Sequence, residues 1–422
     1  MIERYYVRPE TVDRIRSSWI ANAVEKYASW LTELHYSFRS IARRIPIVVS
    51  FGDFAQKRGA TKWEDLPAHV EPFVECWLRE RAKGRRTNDE RVKIAQCVRN
   101  PIRQMLRLAI PNYVGLTRLK KPENPFAQCA PCFFEYLRSE KGLREATIKQ
   151  YTYHLRFLAS YFDRIRLKNM RNLTPVVLSN FITEYGQRVG WPNLRNACGT
   201  LRVFLRYLYR EHVMSKDISH TVEFPQSFRL SGIPRSITWD QVRHVLESVD
   251  RRSTSGKRDY AILLLLVTYG LRAHEVSRLT LDDIDWRNQR LRIPERKASH
   301  STAYPLSTVV GEAILEYLKN GRPQTQDRLI FFRCVAPCKP ICSAAIVARA
   351  CHYLKKAGIN VPRPGSHTLR HTCVQRLVDA DFPLKVIGDY VGHRSPSSTQ
   401  IYSKVAIEAL RQVALGDGEE VL

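Results

Sequence analysis

The 422-residue chain predicts a mainly α fold carrying one small β element. Apolar residues recur at helical spacing from Thr11 to Ile110 and again from Phe126 onward, while short alternating runs occur at Arg290 to Pro294 and Ala303 to Leu306. Stretches with few periodic apolar positions, Pro111 to Asn124 and Asp217 to Ile237, separate these regions. The expected organisation is an all-helical domain over 1–115, a second all-helical domain over 116–220, and a mixed α+β domain over 235–422 with a β-hairpin or small sheet.

In the first region Val24, Tyr27, Ala28, Trp30, Leu31 and Leu34 form one stripe on a helix from Ala21. Further helices are expected over Phe38 to Gln56, Pro67 to Arg81 and Glu90 to Ile110, divided by Gly59, Pro67 and a polar turn at Lys83 to Asp89. A similar plan follows about 107 positions later, where Phe133 to Leu137 corresponds to Tyr27 to Leu31 and Thr147-Ile148 to Ser40-Ile41. Two diverged copies of one helical unit account for this, and so does chance register between two amphipathic four-helix stretches.

In the third region Thr238 and Gln241 have the spacing of a capping box. Asp259 to Tyr269 is apolar almost all round, hence buried, and stops at Gly270. A new helix near Ala273 leaves Arg272 at its entrance. The alternating runs around Glu295 to Thr302 form the hairpin. Helices over Val309 to Asn320 and Ser343 to Ala357 flank a loop carrying Phe331, Phe332 and cysteines.

Lys and Arg number 68 against 41 Asp and Glu, a formal charge of +27 spread along the chain. Such a chain is expected to meet a polyanion, and nucleic acid is the usual one. Neither an apolar run of about twenty residues nor a basic-then-apolar leader at Met1-Ile2-Glu3-Arg4 is present, so no membrane span or secretion is expected and the protein should remain in the cytoplasm. The ten cysteines are expected to be reduced and mostly buried. Cys129 and Cys132, and Cys334, Cys338 and Cys342, have metal-like spacings, but neither group has a second ligand pair nearby, and Pro337 and Pro340 interrupt the latter. No metal is expected at either.

The densest chemistry lies in Gly365 to Val405: His367 and Arg370 three apart on one helix face, Gly392-His393, and Tyr402 nine positions after that histidine. Breaking a phosphodiester by nucleophilic attack builds negative charge on the non-bridging oxygens, which two guanidiniums, Arg272 and Arg370, are suited to clamp. A phenol with pKa near 10 needs a cationic pocket or a base before it can attack. Tyr390 is a second tyrosine in the run, but it sits in the apolar pattern of Val386, Ile387 and Val391 and reads as core.

The order Thr268-Tyr-Gly-Leu-Arg272-Ala-His-Glu275, Lys297, His367-Thr-Leu-Arg370-His371, Gly392-His393 and Tyr402 resembles the tyrosine recombinase (phage integrase) family over 235 to 405, and the 126 to 212 unit is similar to that family's core-binding domain. The resemblance implies a site-specific DNA recombinase that cleaves and rejoins DNA through a 3′-phosphotyrosyl intermediate. It assigns Tyr402 as nucleophile, Arg272 and Arg370 as the phosphate clamp, His367 to proton handling, His393 to a hydrogen bond on the phosphate, and Lys297 as general acid for the leaving 5′-oxygen. Arg296 and His300 are its neighbours in the same hairpin and alternatives for that last role.

The resemblance further implies no cofactor, because the phosphotyrosine stores the bond energy and the sequence offers no acidic cluster for two metals. The expected partners are double-stranded DNA, gripped by basic helices such as Arg144 to Arg166 and Arg195 to Arg210, and further protomers in a synaptic tetramer, with partner recombinases an open point. A bacterial, nucleoid-associated setting on a transposon or plasmid fits such a chain. Ala406, Ile407, Leu410, Val413 and Ala414 suggest an amphipathic tail, passed to a neighbouring protomer or packed on its own domain. The first 110 or so residues suit either a second DNA-reading domain or a protomer contact. A type IB topoisomerase-like relaxing enzyme and a non-catalytic DNA-binding accessory protein are the alternatives.

Overall fold

A computed structural model describes residues 1–81, 87–111, 113, 124–167, 169–226, 236–296, 300–392 and 399, without the side chains of Arg81, Glu295, Arg296 and His300. The chain divides into two compact units, residues 114–231 and the remainder, and the remainder holds two large hydrophobic cores and a small cluster of Val374, Ile387 and Val391.

The first core belongs to five helices, α1 (Pro9–Ser17), α2 (Ala21–Glu33), α3 (Phe38–Lys57), α4 (Val70–Arg81) and α5 (Asn88–Ala109). The sequence reading gave four. It did not separate α1, a nine-residue helix that buries Val12 and Ile15 alone and so shows too little periodicity. It also began the third helix at Pro67, where a 3₁₀ turn over Trp63–His69 precedes α4. The caps are conventional: Ser37 accepts from the Ser40 amide ahead of α3, and Thr87 and Glu90 cap each other's backbone ahead of α5. Polar contacts also tie this bundle together. Arg44 and Tyr27 both donate to Gln104 Oε1, at 2.7 and 2.9 Å, and Glu71 on α4 accepts from Arg99 and Arg103 on α5.

The 114–231 unit holds α6 (Phe133–Ser139), α7 (Glu145–Arg164), α8 (Pro175–Arg188) and α9 (Trp191–Arg210). Thr174 caps α8 ahead of a proline at its first position, where the missing N–H costs nothing. The core is aromatic, with Phe204 packed 4.8 Å from Phe126 and 5.0 Å from Phe133, and Tyr207 5.1 Å from Phe133. The segment expected to be linker from Asp217 packs here through Val222. Val222 is buried, Arg202 Nε donates to its carbonyl at 2.8 Å, and Arg206 Nε donates to Ser219 Oγ at 3.2 Å. Arginines of α9 expected to face a polyanion are therefore partly engaged with their own chain.

The third core begins with α10 (Trp239–Glu247), whose Thr238–Gln241 capping box is present as the sequence predicts. α11 (Thr254–Thr268) is buried along most of its length and packs against α13 (Thr308–Asn320) and α15 (Ser366–Asp379). α12 (Ala273–Ser277) contacts α14 (Ser343–Lys356), and α16 (Leu384–Val391) leans on α15. Strands β2 (Arg290–Arg296) and β3 (His300–Pro305) form the expected antiparallel hairpin, in the register Leu291 to Tyr304 and Ile293 to Thr302. A two-residue strand β1 (Ile284–Asp285), too short for an alternating signal, adds a third strand beside β2.

The cysteines depart from expectation. All ten are free, but Cys198 and Cys373 alone are buried; Cys97, Cys132 and Cys342 are exposed and the rest lie between, and five of these eight lie in turns, in a loop or at helix caps rather than within helices. Among the described residues no group of three His, Cys, Asp or Glu side chains is placed to hold a metal ion, and no helix is long and apolar enough to cross a membrane.

Candidate active site

The site is built where α11 ends. Gly270 has φ +59, a left-handed conformation that side-chain-bearing residues disfavour, and a Cβ there would lie 3.1 Å from Val391 and 3.3 Å from the Cys373 sulfur. That turn redirects the chain so that Arg272 becomes the N-cap of α12. Glu275, three residues on and buried, accepts from the Arg272 amide at 2.8 Å through one carboxylate oxygen and from its Nη1 at 2.8 Å through the other. The guanidinium thus has a fixed counter-charge on one side, and its Nη2 donates to the Gly392 carbonyl at 2.8 Å.

Arg370 comes from the first half of α15 and is buried. Its Nη1 donates to the carbonyl of Gly270 and its Nη2 to that of Val391 at 2.7 Å. Gly392 closes α16 at φ +65, the usual glycine cap of a helix. The two arginines, 98 positions apart in sequence, therefore meet at the end of α16 and at the turn that follows α11.

His367 lies one helical turn before Arg370 with an open edge to solvent, and its ring centroid is 6.4 Å from that of His371. Its pKa is held below the usual histidine value, first by desolvation of the ring and then by the charges of Arg370 and Arg272. At neutral pH the imidazole is thus biased to its neutral form, able to accept a proton. Tyr390 behaves as the sequence reading expects of a packed residue, half-buried with its hydroxyl donating to the Thr268 carbonyl at 3.2 Å. Val386, expected in the same apolar pattern, is 50% exposed.

The structure thus brings Arg272, His367 and Arg370 together. Lys297, His393 and Tyr402 lie outside the described residues, as do the tail positions after Tyr402. In sequence, Lys297 follows directly on β2 and His393 directly on the cap of α16. Sequence reasoning placed Arg272 at a helix entrance but did not show the carbonyls of Gly270, Val391 and Gly392 as arginine partners. The glycines were a signal for tight turns, not for where their carbonyls point.

Residues 235–408 match the model of the phage integrase family, and residues 132–212 match that of the phage integrase N-terminal SAM-like domain. The chain belongs to the phage integrase family. It is a tyrosine-type site-specific DNA recombinase. The recombinase is 28% identical over 420 residues to a chain named integrase/recombinase y4rA in Sinorhizobium fredii, covering 98% of each. It is 25% identical over 295 residues to tyrosine recombinase XerC of Anoxybacillus flavithermus, covering 67% of this chain and 95% of that one. In fold it is similar to the XerH site-specific recombinase solved in a post-cleavage complex with its palindromic difH substrate, with TM-score 0.55 at 16% identity, covering 83% of this chain and 96% of that one. A match along nearly the whole of y4rA takes in the amino-terminal helices that a chain of XerC length has no room for.

Proposed function

We propose that the recombinase cuts one strand of duplex DNA by attack of the Tyr402 phenol oxygen on the scissile phosphorus. A 3′-phosphotyrosine forms, the bond to the 5′-oxygen breaks, and that oxygen takes a proton from Lys297. Arg272 and Arg370 stabilise the charge that develops on the non-bridging oxygens, His393 donates to the same phosphate, and His367 takes the phenol proton. Attack by a new 5′-hydroxyl on the phosphotyrosine reverses the step and exchanges strands. The observation that carries this reading is the convergence of Arg272 and Arg370 on the end of α16, with a neutral-biased His367 beside them and the chain leading straight into His393.

The reading extends to the assembly. Residues 116–220 and 235–422 act as core-binding and catalytic domains, residues 1–115 are a diverged copy of the core-binding unit, and protomers work as a tetramer on synapsed sites, with partner recombinases able to share the complex. The setting is the bacterial cytoplasm, at the nucleoid. The tail after Tyr402 is suited to link neighbouring protomers.

The test is covalent capture. Nicked duplexes tiled across the DNA flanking the coding region are incubated with the full chain and resolved under denaturing conditions. A protein–DNA adduct is expected with the wild type and none with Tyr402→Phe. No adduct on any duplex, or an adduct that survives Tyr402→Phe, overturns the reading. If His367 takes the phenol proton, the rate of adduct formation rises with pH through the His367 pKa. The lowered pKa then puts this acid limb below about pH 6.5, and His367→Gln is expected to remove it.

A further inference from the structure

Three consecutive carbonyls at the end of α16 are each held by a side chain from a different element. The Tyr304 hydroxyl, on β3, donates to the Tyr390 carbonyl; Arg370, on α15, donates to Val391 at 2.7 Å; Arg272, at the start of α12, donates to Gly392 at 2.8 Å. The last carbonyls of a helix have no partner within it and carry its negative end, so they need donors from elsewhere. Two of the three donors here are the arginines of the site. The third is a tyrosine 2% exposed, its ring tilted against Tyr269 at 5.1 Å and edge-to-face with Tyr390 at 4.9 Å.

The neighbours hold Tyr304 firmly. Tyr269 donates to the Pro305 carbonyl at 3.0 Å and accepts from the Ser307 amide at 2.8 Å, which pins the end of β3 to the end of α11. Tyr390 in turn reaches the Thr268 carbonyl. The three rings therefore join β3, α11 and α16 at fixed spacing, and the Tyr304 hydroxyl lies at the point where this aromatic cluster meets the collar of carbonyls.

We propose that Tyr304 is a positioning residue for strand cleavage, acting by keeping the Tyr390 carbonyl satisfied and so leaving Arg370 and Arg272 where they are. A backbone carbonyl that loses its donor in a packed site seeks another, and donors already at this collar are the two guanidiniums. Without the hydroxyl, the end of α16 and the arginines shift towards each other, and the clamp on the phosphate is displaced. The inference rests on the reading of Arg272 and Arg370 as that clamp.

Tyr304→Phe keeps the ring and removes the donor. Its melting temperature is expected to fall by less than about 4 °C, as for loss of one hydrogen bond. On a nicked duplex that the wild type cleaves, single-turnover adduct formation is expected to slow by about tenfold to a hundredfold, the scale of a small misplacement of catalytic groups. The same duplex with a methylphosphonate at the scissile position builds one less negative charge and leans less on the guanidiniums. There the deficit of Tyr304→Phe relative to wild type is expected to shrink to under about threefold. An equal deficit on both substrates marks a merely structural role and overturns the proposal, as does no deficit on either. Amide hydrogen exchange of the DNA-free chain gives a second readout: peptides spanning 384–392 exchange faster in Tyr304→Phe if the hydroxyl holds α16, and unchanged exchange overturns the proposal. Absence of any wild-type adduct instead removes the cleavage reading, while the exchange result still decides whether Tyr304 holds α16.

Discussion

α3 (Phe38–Lys57) and α7 (Glu145–Arg164) are both 20 residues long, and the second begins 107 positions after the first. The 3₁₀ turns at Trp63–His69 and Met170–Asn172 also begin 107 positions apart, and a helix follows each. The interiors on this shared schedule differ. The first bundle sets Arg44, Tyr27 and Gln104 in one hydrogen-bonded group and closes α4 on α5 through Glu71 with Arg99 and Arg103. The second packs Phe126, Phe133, Phe204 and Tyr207 ring against ring, and its buried His154 bonds Tyr185 at 3.0 Å. The lengths and positions of elements follow from where apolar residues recur and where caps fall, and they tolerate different chemistry inside. The common schedule is what two copies of one unit would share; the interiors differ in kind.

The largest expected effect separates the two interiors. Phe204→Ala removes a ring that is 1% exposed and is expected to destabilise the second bundle by about 3–5 kcal/mol, with the first unaffected. Hydrogen exchange of peptides from 133–210 in urea, set against those from 21–109, measures both at once. Loss confined to neither bundle would show that the cores do not unfold separately.

A smaller effect is expected from Glu71→Gln. Arg103 keeps 7% of its side chain exposed, and loss of the carboxylate strands its charge; because Glu71 is itself 40% exposed, the cost is put at about 2–3 kcal/mol, below the value for a fully buried pair. Trp19, Trp30, Trp63 and Trp77, four of the seven tryptophans, lie in the first region, so tryptophan fluorescence during urea unfolding is weighted towards this change.

The smallest effect is a difference in acid sensitivity. Burial pushes the His154 pKa below 6.5, so the unfolded chain binds a proton there before the folded one does; its contribution to stability is whole above about pH 6.5 and declines as pH falls below it. The guanidinium of Arg99 holds the Glu71 carboxyl below 4.5, so that contribution is whole above about pH 4.5 and is lost only under stronger acid. Protection of the 133–210 peptides, corrected for the slower intrinsic amide exchange in acid, should therefore fall first on acidification. The reverse order would break the contrast drawn between the two interiors.

Much of the fold could be read in the sequence because local signals carry it. The Thr238 and Gln241 box, the halt of α11 at Gly270 and the β2–β3 hairpin each depend on residues within a few positions of one another. For the site, residue types and order indicated Arg272, His367 and Arg370, and the structure adds how they are held. That part was hidden because it joins side chains to backbone carbonyls far away in sequence, as with Arg272 and Gly392, 120 positions apart, and Tyr304 and Tyr390, 86 apart. No periodicity announces such a contact. The incomplete burial of most cysteines was missed because Cys129, Cys132, Cys334, Cys338 and Cys342 lie in turns, in a loop or at helix caps, where no apolar stripe reports their surroundings.

Near the start of α11, at the opposite end of that helix from the site, Arg258 pairs with Asp259 at 2.6 Å and donates to the Phe332 carbonyl at 3.0 Å, while Tyr353 on α14 donates to the other oxygen of Asp259 at 3.2 Å. All three side chains are buried. Loss of one member of such a group strands a charge or a polar atom in a dry interior, whereas joint replacement by apolar residues of similar volume carries little penalty. The consequence is genetic. Positions 258, 259 and 353 are constrained to change together, so among functional descendants of this chain single departures at any one of them should be rare and block replacements the surviving kind.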